Sequence, residues 1–265
     1  MRIVSPLCWV GGKYALARQL VSMFPDHNAY VEVFGGAAHV LFRKQPSRVE
    51  VYNDIDNRLV NFFRVVSDKK KCDELFVRID AALYSRNEFD ICKRNMDIGS
   101  DIDRAYCFAV VNKQSFGSKM ETWGVDVAEK GQTATFANLP EKIRAAHDRV
   151  KAVQIESRSF EYILNKYDRA RTFFYLDPPY PFTGERGSTK VYKHEMADDD
   201  HLHMVDRLLR IKGKAMLSSY NTPLYEPLEQ AGWKKIRVSD VAITVNRKTN
   251  GEKRIRKTEY VWVNY

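Results

Sequence analysis

Four consecutive residues, Asp177-Pro178-Pro179-Tyr180, place a carboxylate and an aromatic ring on a stiff piece of chain. They follow the apolar run 172–176, which is typical of a buried strand. Proline fixes its own φ and restricts the residue before it, so Asp177 is held in place where that strand ends. Open α/β sheets bind ligands at the carboxyl ends of their strands. The four residues therefore indicate a site, although a Pro-Pro turn with a capping Asp and a surface Tyr would give the same pattern.

Two glycine turns mark other places where a ligand could approach the backbone. Trp9 and Lys13 flank the pair Gly11-Gly12 ahead of a predicted helix. Further on, a predicted strand over 29–34 leads into a glycine turn over 35–38 and then a helix. Strand, glycine turn and helix in this order are the opening of a nucleotide-binding βαβ unit.

Asp54 follows the next predicted strand, over 48–53. Nucleotide-binding folds place an acidic residue about 20 positions after the glycine turn, where it hydrogen-bonds a ribose. Neither G-x-G-x-x-G nor G-x-x-x-x-G-K-[ST] occurs in the chain, so the usual pyrophosphate-binding loops are absent from the sequence. The pattern predicts a nucleoside-like cofactor without a pyrophosphate.

The elements that must position these residues alternate between strand and helix on both sides of a helical segment. Charged helical patterns dominate residues 57–145, where strand-like alternation is scarce. The alternation resumes near residue 152 and closes with an antiparallel pair over 233–244 and 257–263. We therefore predict an α/β fold in which residues 1–56 and 146–265 form the sheet domain and residues 57–145 an inserted, mostly helical subdomain.

The 265-residue chain carries a net charge of +9 and has a pI near 9.3, which favours polyanionic partners such as nucleic acid. Six basic residues lie between Arg247 and Lys257 against the single acidic Glu252. A solvated hairpin kept soluble by charge would look similar. No apolar run approaches the ~20 residues of a membrane span, and the first residues lack the apolar core of a signal peptide. A cytoplasmic protein is expected.

Cysteine and histidine positions give no sign of a metal site or a disulfide framework. The four cysteines show no C-x-x-C spacing, so we expect them to be reduced. His201 and His203 are two positions apart at the start of a predicted helix, so their side chains point in different directions and cannot share an ion. We expect no metal cofactor and a solvated start for this helix.

A loop over 112–124 combines glycine, lysine, amide and aromatic residues and could enter a DNA groove or fill a vacated base stack. Within it, Lys113, Gln114 and Lys119 are the side chains that we expect to face DNA. A variable surface loop without a function is the alternative.

Taken in chain order, four motifs resemble those of the Dam-like DNA N6-adenine methyltransferases, which carry the Asp-Pro-Pro-Tyr type of site in the alpha motif order. They are Trp9-x-Gly11-Gly12-Lys13, Glu32-x-Phe34-x-Gly36, Asp54 and Asp177-Pro178-Pro179-Tyr180. The resemblance covers most of the chain and is thinnest over residues 67–105. It departs from the family at Val33, where proline is usual, and at Ala38, where glycine is usual.

The resemblance implies a Rossmann-like methyltransferase sheet with a final antiparallel strand and a target-recognition role for the inserted subdomain. It implies S-adenosylmethionine as the cofactor, bound by Trp9, Lys13, Phe34, Gly36, Asp54 and Asp177, and catalysis by Asp177, Pro178 and Tyr180. The substrate would be double-stranded DNA, contacted by Lys113, Gln114, Lys119, Arg247, Lys248, Arg254 and Arg256. A monomeric or weakly dimeric enzyme of a prokaryotic cell or a phage-infected host, associated with restriction and modification, is expected.

The chemistry explains why these residue types are needed. The exocyclic amine of adenine is a poor nucleophile because its lone pair is delocalised into the ring. The Asp177 carboxylate and the Pro178 carbonyl would accept its hydrogen bonds and draw the nitrogen towards tetrahedral geometry. Tyr180 would stack on the base, which must be flipped out of the duplex to be reached.

Two alternatives remain open at this point. The enzyme could methylate another amine, in an RNA base or a glutamine side chain, although aspartate rather than asparagine at position 177 and the motif order favour adenine in DNA. The chain could also be a DNA-binding protein that has lost catalysis. Trp9, Lys13, Asp54 and Asp177 are all present, which argues against the second alternative.

Overall fold

A computed structural model of the protein describes residues 3–9, 11–125, 131–181, 196–242 and 256–265. The chain divides into two compact units. The first contains Met1–Ala17, Gly35–Pro46 and Glu50–Ser157, and the second contains Arg18–Phe34, Ser47–Val49 and Arg158–Tyr265. The assignment of 57–145 as the target-recognition subdomain stays a prediction.

The described residues form one seven-stranded mixed sheet in the order β3-β2-β1-β4-β5-β7-β6. The strands are β1 (Ala29–Glu32), β2 (Val49–Asn53), β3 (Gln154–Glu156), β4 (Thr172–Leu176), β5 (Lys214–Tyr220), β6 (Lys234–Ala242) and β7 (Arg256–Val263). β1, β4 and β5 pair in parallel, as do β2 and β3, whereas β7 is antiparallel to both β5 and β6. The predicted α/β fold class, with a parallel body and closing antiparallel strands, is confirmed.

The helices in the described part of the chain are mostly short. They are α1 (Ala17–Ser22), α2 (His39–Arg43), α3 (Asn57–Ser67), α4 (Lys69–Asp80), α5 (Arg86–Asn95), α6 (Asp101–Gln114), α7 (Gln132–Ala137), α8 (Leu139–Val150), α9 (Phe160–Tyr167), α10 (Asp198–Leu208) and α11 (Glu226–Gln230), with 3-10 turns at Phe116–Ser118 and Pro223–Tyr225. None of these described helices combines the length and the apolar character that a bilayer crossing requires.

Helices α3 to α8 belong to the first unit, and α6 is central among them. Its last ten residues, from Ala105 to Gln114, are buried on nearly every side, because α3, α4, α5 and α7 all pack against this helix. Ser100 caps its start by accepting from the Asp103 amide while the Asp103 carboxylate accepts from the Ser100 amide. The cap thus fixes the start of α6, and the surrounding helices fix its end.

Strand β4 lies at the centre of the second unit, between β1 and β5. All five of its residues are buried, which explains their continuous apolar character. Just beyond β1, the Val33 amide donates to the Tyr175 carbonyl at 3.0 Å and extends the pairing. A rigid, fully covered strand thus leads directly into Asp177.

One expectation about helix α10 is wrong. His201 is completely buried rather than solvated, and its ring Nδ1 lies 2.8 Å from the Tyr225 hydroxyl. Burial lowers the pKa of this histidine to about 4, so it is neutral at physiological pH. His201 is part of the packing between α10 and the turn that contains Tyr225.

Candidate active site

In the first unit, the glycine turn and Asp54 are joined by hydrogen bonds. The Gly36 amide donates to Asp54 Oδ2 at 2.7 Å, and the Asp56 amide donates to Asp54 Oδ1 at 2.8 Å. The Gly35 amide donates to the Asn53 carbonyl at 2.7 Å. The turn after β1 and the chain after β2 are therefore fixed to each other through Asp54.

Two aromatic rings explain why this turn contains glycine. A Cβ on Gly35 would lie 2.1 Å from the Tyr52 ring, so no larger residue fits there. Gly36 has φ +49, and a Cβ on it would lie 3.1 Å from Trp9 Cδ1. The Tyr52 hydroxyl also donates to the Gly36 carbonyl at 2.7 Å. Trp9, predicted from the sequence as a site residue, thus lies against the predicted glycine turn.

The Asp54 carboxylate is held in surroundings that disfavour its charge. Burial raises its pKa from the usual 3.8 to about 6, although the amide donors, including Asp56 and Gly36, act in the opposite direction. The neighbouring Asp56 carboxylate adds to the rise. A group with this pKa changes charge close to physiological pH.

The loop before α1 brings positive charge to the same unit. Lys13 is buried, and its ammonium donates to the Gly11 carbonyl at 3.3 Å. A Cβ on Gly12 would lie 2.7 Å from the His39 ring. Burial, together with the charges of Lys113 and Lys13, lowers the pKa of His39 to about 4. His39 is therefore neutral and the two lysines supply the charge here.

Phe34 belongs to the second unit. It is half-buried, with its ring centroid 6.1 Å from that of Phe160 at the start of α9. Its contact with a cofactor stays a prediction.

The second unit brings Asp177, Pro178 and Tyr180 together directly after β4. Pro178 is buried, whereas Asp177 and Tyr180 are half-buried. The Tyr180 hydroxyl lies 3.2 Å from Asp177 Oδ1 and donates to Glu259 Oε1. The Tyr180 ring packs nearly perpendicular to Tyr220, with 4.5 Å between the ring centroids.

Tyr180 keeps its proton in this environment. Burial and the charges of Asp177 and Glu259 raise its pKa well above the usual value of 10.0. A neutral phenol ring with a fixed hydroxyl is a flat, largely apolar surface of the kind on which a base stacks. The position after β4 thus combines a carboxylate, a rigid carbonyl and a stacking surface.

The residues expected to face DNA differ in their burial. Gln114 is fully buried, and its amide is bonded to Leu83, Ser85 and Trp123, so it supports the helical packing, contrary to the expectation that it faces DNA. Lys113 is also buried, with its ammonium 3.0 Å from the Cys8 sulfur. It therefore lies against the loop before α1 and not on an open surface.

Lys119 is exposed, as a DNA contact requires, and its role stays a prediction. Arg247, Lys248 and Arg254 lie outside the described residues. Arg256 begins β7, and its backbone pairs with Ala242.

Three residues of these surroundings were not recognised from the sequence: Tyr52, His39 and Glu259. In the sequence, Tyr52 has the pattern of an ordinary strand residue, and His39 is an isolated histidine on a short helix. Glu259 stands alone between Thr258 and Tyr260 in an alternating strand, which is the usual pattern of an exposed position. Only its burial, at 2 % exposure, distinguishes it.

Within the described ranges, no cluster of three or more histidine, cysteine, aspartate or glutamate side chains could hold a metal ion.

Comparisons with known proteins agree with the motifs. Residues 9–239 match the family model of the D12 class N6 adenine-specific DNA methyltransferases. The chain is 26% identical over 260 residues to the type II methyltransferase M.MjaIII of Methanocaldococcus jannaschii, covering 86% of this chain and 88% of that protein. It is 25% identical over 276 residues to the type II methyltransferase M1.LlaDCHI of Lactococcus lactis subsp. cremoris, covering 97% of this chain and 94% of that protein.

A third relative is longer. The modification methylase StsI of Streptococcus sanguinis is 25% identical over 211 residues, which cover 70% of this chain and 31% of that protein. The family model spans most of the chain, including the glycine turn, Asp54 and Asp177-Pro178-Pro179-Tyr180. The chain therefore belongs to the D12 class of N6 adenine-specific DNA methyltransferases and is an adenine-specific DNA methyltransferase.

Proposed function

We propose that this adenine methyltransferase takes its methyl group from S-adenosylmethionine and acts on an adenine flipped out of duplex DNA. The observation that carries the proposal is the position of Asp177-Pro178-Pro179-Tyr180 at the end of the buried strand β4, where Asp177 contacts a neutral Tyr180. This arrangement offers acceptors for an amine beside a ring on which its base can stack.

The residues of the first unit fit the cofactor. Gly35 and Gly36 let the turn pack closely against Tyr52 and Trp9, while Asp54 presents a carboxylate for ribose hydroxyls. Trp9 lies against this turn, and Lys13 supplies positive charge for the cofactor carboxylate. Phe34 is also proposed to contact the cofactor. S-adenosylmethionine, when bound, supplies a methyl group on a positively charged sulfur.

The protein's own groups prepare the base. Asp177 accepts one hydrogen bond from the adenine N6 amine, and the carbonyl of buried Pro178 accepts the other. Proline suits this position because it has no amide hydrogen and presents its carbonyl from a stiff chain. The two fixed acceptors draw the nitrogen towards tetrahedral geometry and localise its lone pair. Tyr180 holds the ring of the flipped base by stacking.

Lys119 and the basic residues of the sequence stretch from Arg247 to Lys257 are the proposed contacts for duplex DNA. Two of the relatives are named type II methyltransferases, which favours a role in restriction and modification. We propose a monomeric or weakly dimeric enzyme in the cytoplasm of a prokaryotic cell or a phage-infected host.

The test uses the purified protein, S-adenosylmethionine labelled in its methyl group, and duplex DNA, followed by analysis of the released nucleosides. Label in N6-methyladenine is expected. Label in cytosine, or no label in the DNA, would contradict the proposal. A duplex with 2-aminopurine at the target position tests flipping separately, because the probe becomes more fluorescent when it leaves the base stack.

A further inference from the structure

Glu259 is a buried carboxylate that no motif of the site includes. It lies on β7, opposite Tyr220 of β5 on one side and Ser239 of β6 on the other. Only 2 % of its surface is exposed. A charged side chain is rarely covered to this degree unless its oxygens have well-placed hydrogen-bond donors.

Two hydroxyl groups donate to the same Glu259 oxygen. Ser218 Oγ lies 2.7 Å from Oε1, and the Tyr180 hydroxyl also donates to Oε1. Ser218 and Glu259 come from neighbouring strands of one antiparallel pair, so the carboxylate has a rigid support. Tyr180 follows the Pro-Pro turn, outside the strands, and its hydroxyl donates to this supported carboxylate.

The Tyr180 hydroxyl has a single proton and two carboxylates beside it. Its oxygen is closer to Glu259 than to Asp177, which lies 3.2 Å away. A phenol donates one strong hydrogen bond, and the closer oxygen receives it. Glu259 therefore competes successfully with Asp177 for this proton.

The same contacts restrain the plane of the Tyr180 ring. Tyr220 packs across it at 4.5 Å and 74°, which limits tilting. Glu259 holds the hydroxyl end, which limits swinging of the ring about its Cα–Cβ bond. Since Tyr220 and Glu259 are paired in the sheet, one rigid element controls both ends of the ring.

We propose that Glu259 is a positioning residue that acts through the Tyr180 hydroxyl, holding the ring where the target adenine stacks and keeping the phenol proton away from Asp177. The inference rests on the proposed function of Asp177 and Tyr180. Glu259 itself does not touch the base.

A double-mutant cycle tests the inference, with Glu259→Leu, Tyr180→Phe and the combined variant. Each single change should lower kcat by about 10- to 100-fold, the cost of misplacing a reacting group by about 1 Å, and leave the KM for S-adenosylmethionine unchanged. Because both changes remove the same hydrogen bond, the double variant should be no slower than the slower single variant. Additive losses would mean that Glu259 does not act through Tyr180.

Conservative variants separate positioning from general stability. Glu259→Gln keeps an acceptor oxygen and should stay within about threefold of the parent, since a neutral acceptor is only moderately weaker than a charged one. Ser218→Ala, the matched control, removes the other donor to Glu259 and should change kcat little. If Glu259→Leu does not fold, Tyr180→Phe still decides, because a parent-like kcat in that variant would overturn the inference.

Fluorescence gives a readout besides activity. With 2-aminopurine at the target position, the parent should show a flipped probe partly quenched by stacking on Tyr180. Tyr180→Phe and Glu259→Leu should give a brighter probe, because the base is flipped but held less closely. Probe signals identical to the parent would overturn the inference, whereas a parent that neither methylates nor flips would reject the proposed function itself.

Discussion

The amide of Gly36 donates a 2.7 Å hydrogen bond to the carboxylate of Asp54. This bond connects two of the sequence motifs of the first unit that were expected to bind the cofactor. It also means that the charge on Asp54 and the conformation of the glycine turn depend on each other.

Cofactor binding should depend on pH through Asp54. Its pKa is raised to about 6, so the carboxylate is largely ionised at pH 7 and largely protonated at pH 5. A protonated Asp54 loses an acceptor for the ribose, so affinity should fall as pH falls through 6. Calorimetric titration with S-adenosylmethionine, without DNA, should show a Kd about tenfold higher at pH 5 than at pH 7.

Asp54→Asn is the control for this pH dependence. It should bind the cofactor more weakly at every pH, with a Kd that no longer changes between pH 5 and pH 7. A variant that keeps the parent's pH profile would assign the titration to another group.

Gly36→Ala should disturb the site more than an ordinary glycine substitution. The backbone has φ +49, and the added Cβ would press on Trp9 at 3.1 Å. Strain alone should cost about 1–2 kcal/mol of unfolding free energy, and displacement of Trp9 should weaken S-adenosylmethionine binding as well. Gly117→Ala is the matched control, because Gly117 has φ +61 but nothing within 4 Å. Equal loss of cofactor affinity in both variants would contradict the role of Trp9.

Ala38→Gly should stabilise the protein. Ala38 precedes α2 with φ 57 and ψ 29, in the left-handed region that costs a residue with a Cβ about 1–2 kcal/mol. Part of the gain is offset by the greater freedom of glycine in the unfolded chain, so we expect Tm to rise by about 2 °C. Ala37→Gly, at the neighbouring buried position, should lower Tm. A fall in Tm for Ala38→Gly would show that its methyl group contributes more packing than its backbone costs.

Asp177→Ala should abolish methylation while cofactor binding weakens less. The proposed acceptor for the amine is lost, but the contacts of the first unit remain. Single-turnover methylation and a thermal shift with S-adenosylmethionine measure the two effects separately. Activity within about tenfold of the parent, a barrier change near 1.4 kcal/mol, would rule out the proposed role.

Lys113→Met should raise the stability of the ligand-free protein. Burial lowers the pKa of Lys113, which means that the folded protein disfavours its charged form. A methionine of similar shape removes that cost, and Tm should rise by about 2 °C. Lys119→Met, at an exposed position, should leave Tm unchanged and weaken DNA binding at low salt. A lower Tm for Lys113→Met would show that the buried ammonium is stabilising.

The sequence was most informative where one short stretch determines the structure. Strand β4 was predicted residue for residue, because a continuous apolar run stopped by two prolines has few other structures. The residue expected to be glycine in the family, Ala38, marked a turn that does adopt a left-handed conformation. The sequence assigns no separate helix to α5 within the segment 57–145, since only Phe89 and Cys92 of its ten residues are buried and its apolar spacing is sparse.

Side chains whose environment comes from distant parts of the chain could not be placed. Gln114 is buried because Leu83 and Ser85 approach it from about thirty positions earlier. Glu259 is buried because Tyr180 reaches it from 79 positions away. A local pattern of polar residues does not reveal whether residues distant in sequence will bury them.

The pairing of Tyr30 with Phe173 across β1 and β4 also governs how the second unit folds. These neighbours in the sheet are more than half of the chain apart in sequence. We therefore expect β1 to pair with β4 only after the intervening residues have begun to fold. Closing a loop costs about 0.6 kcal/mol for each doubling of its length, and local helices such as α3 to α8 shorten the effective loop. We expect these helices to form early and the parallel pairing to be a slow step, which is when the exposed edges of β1 and β4 are most open to aggregation.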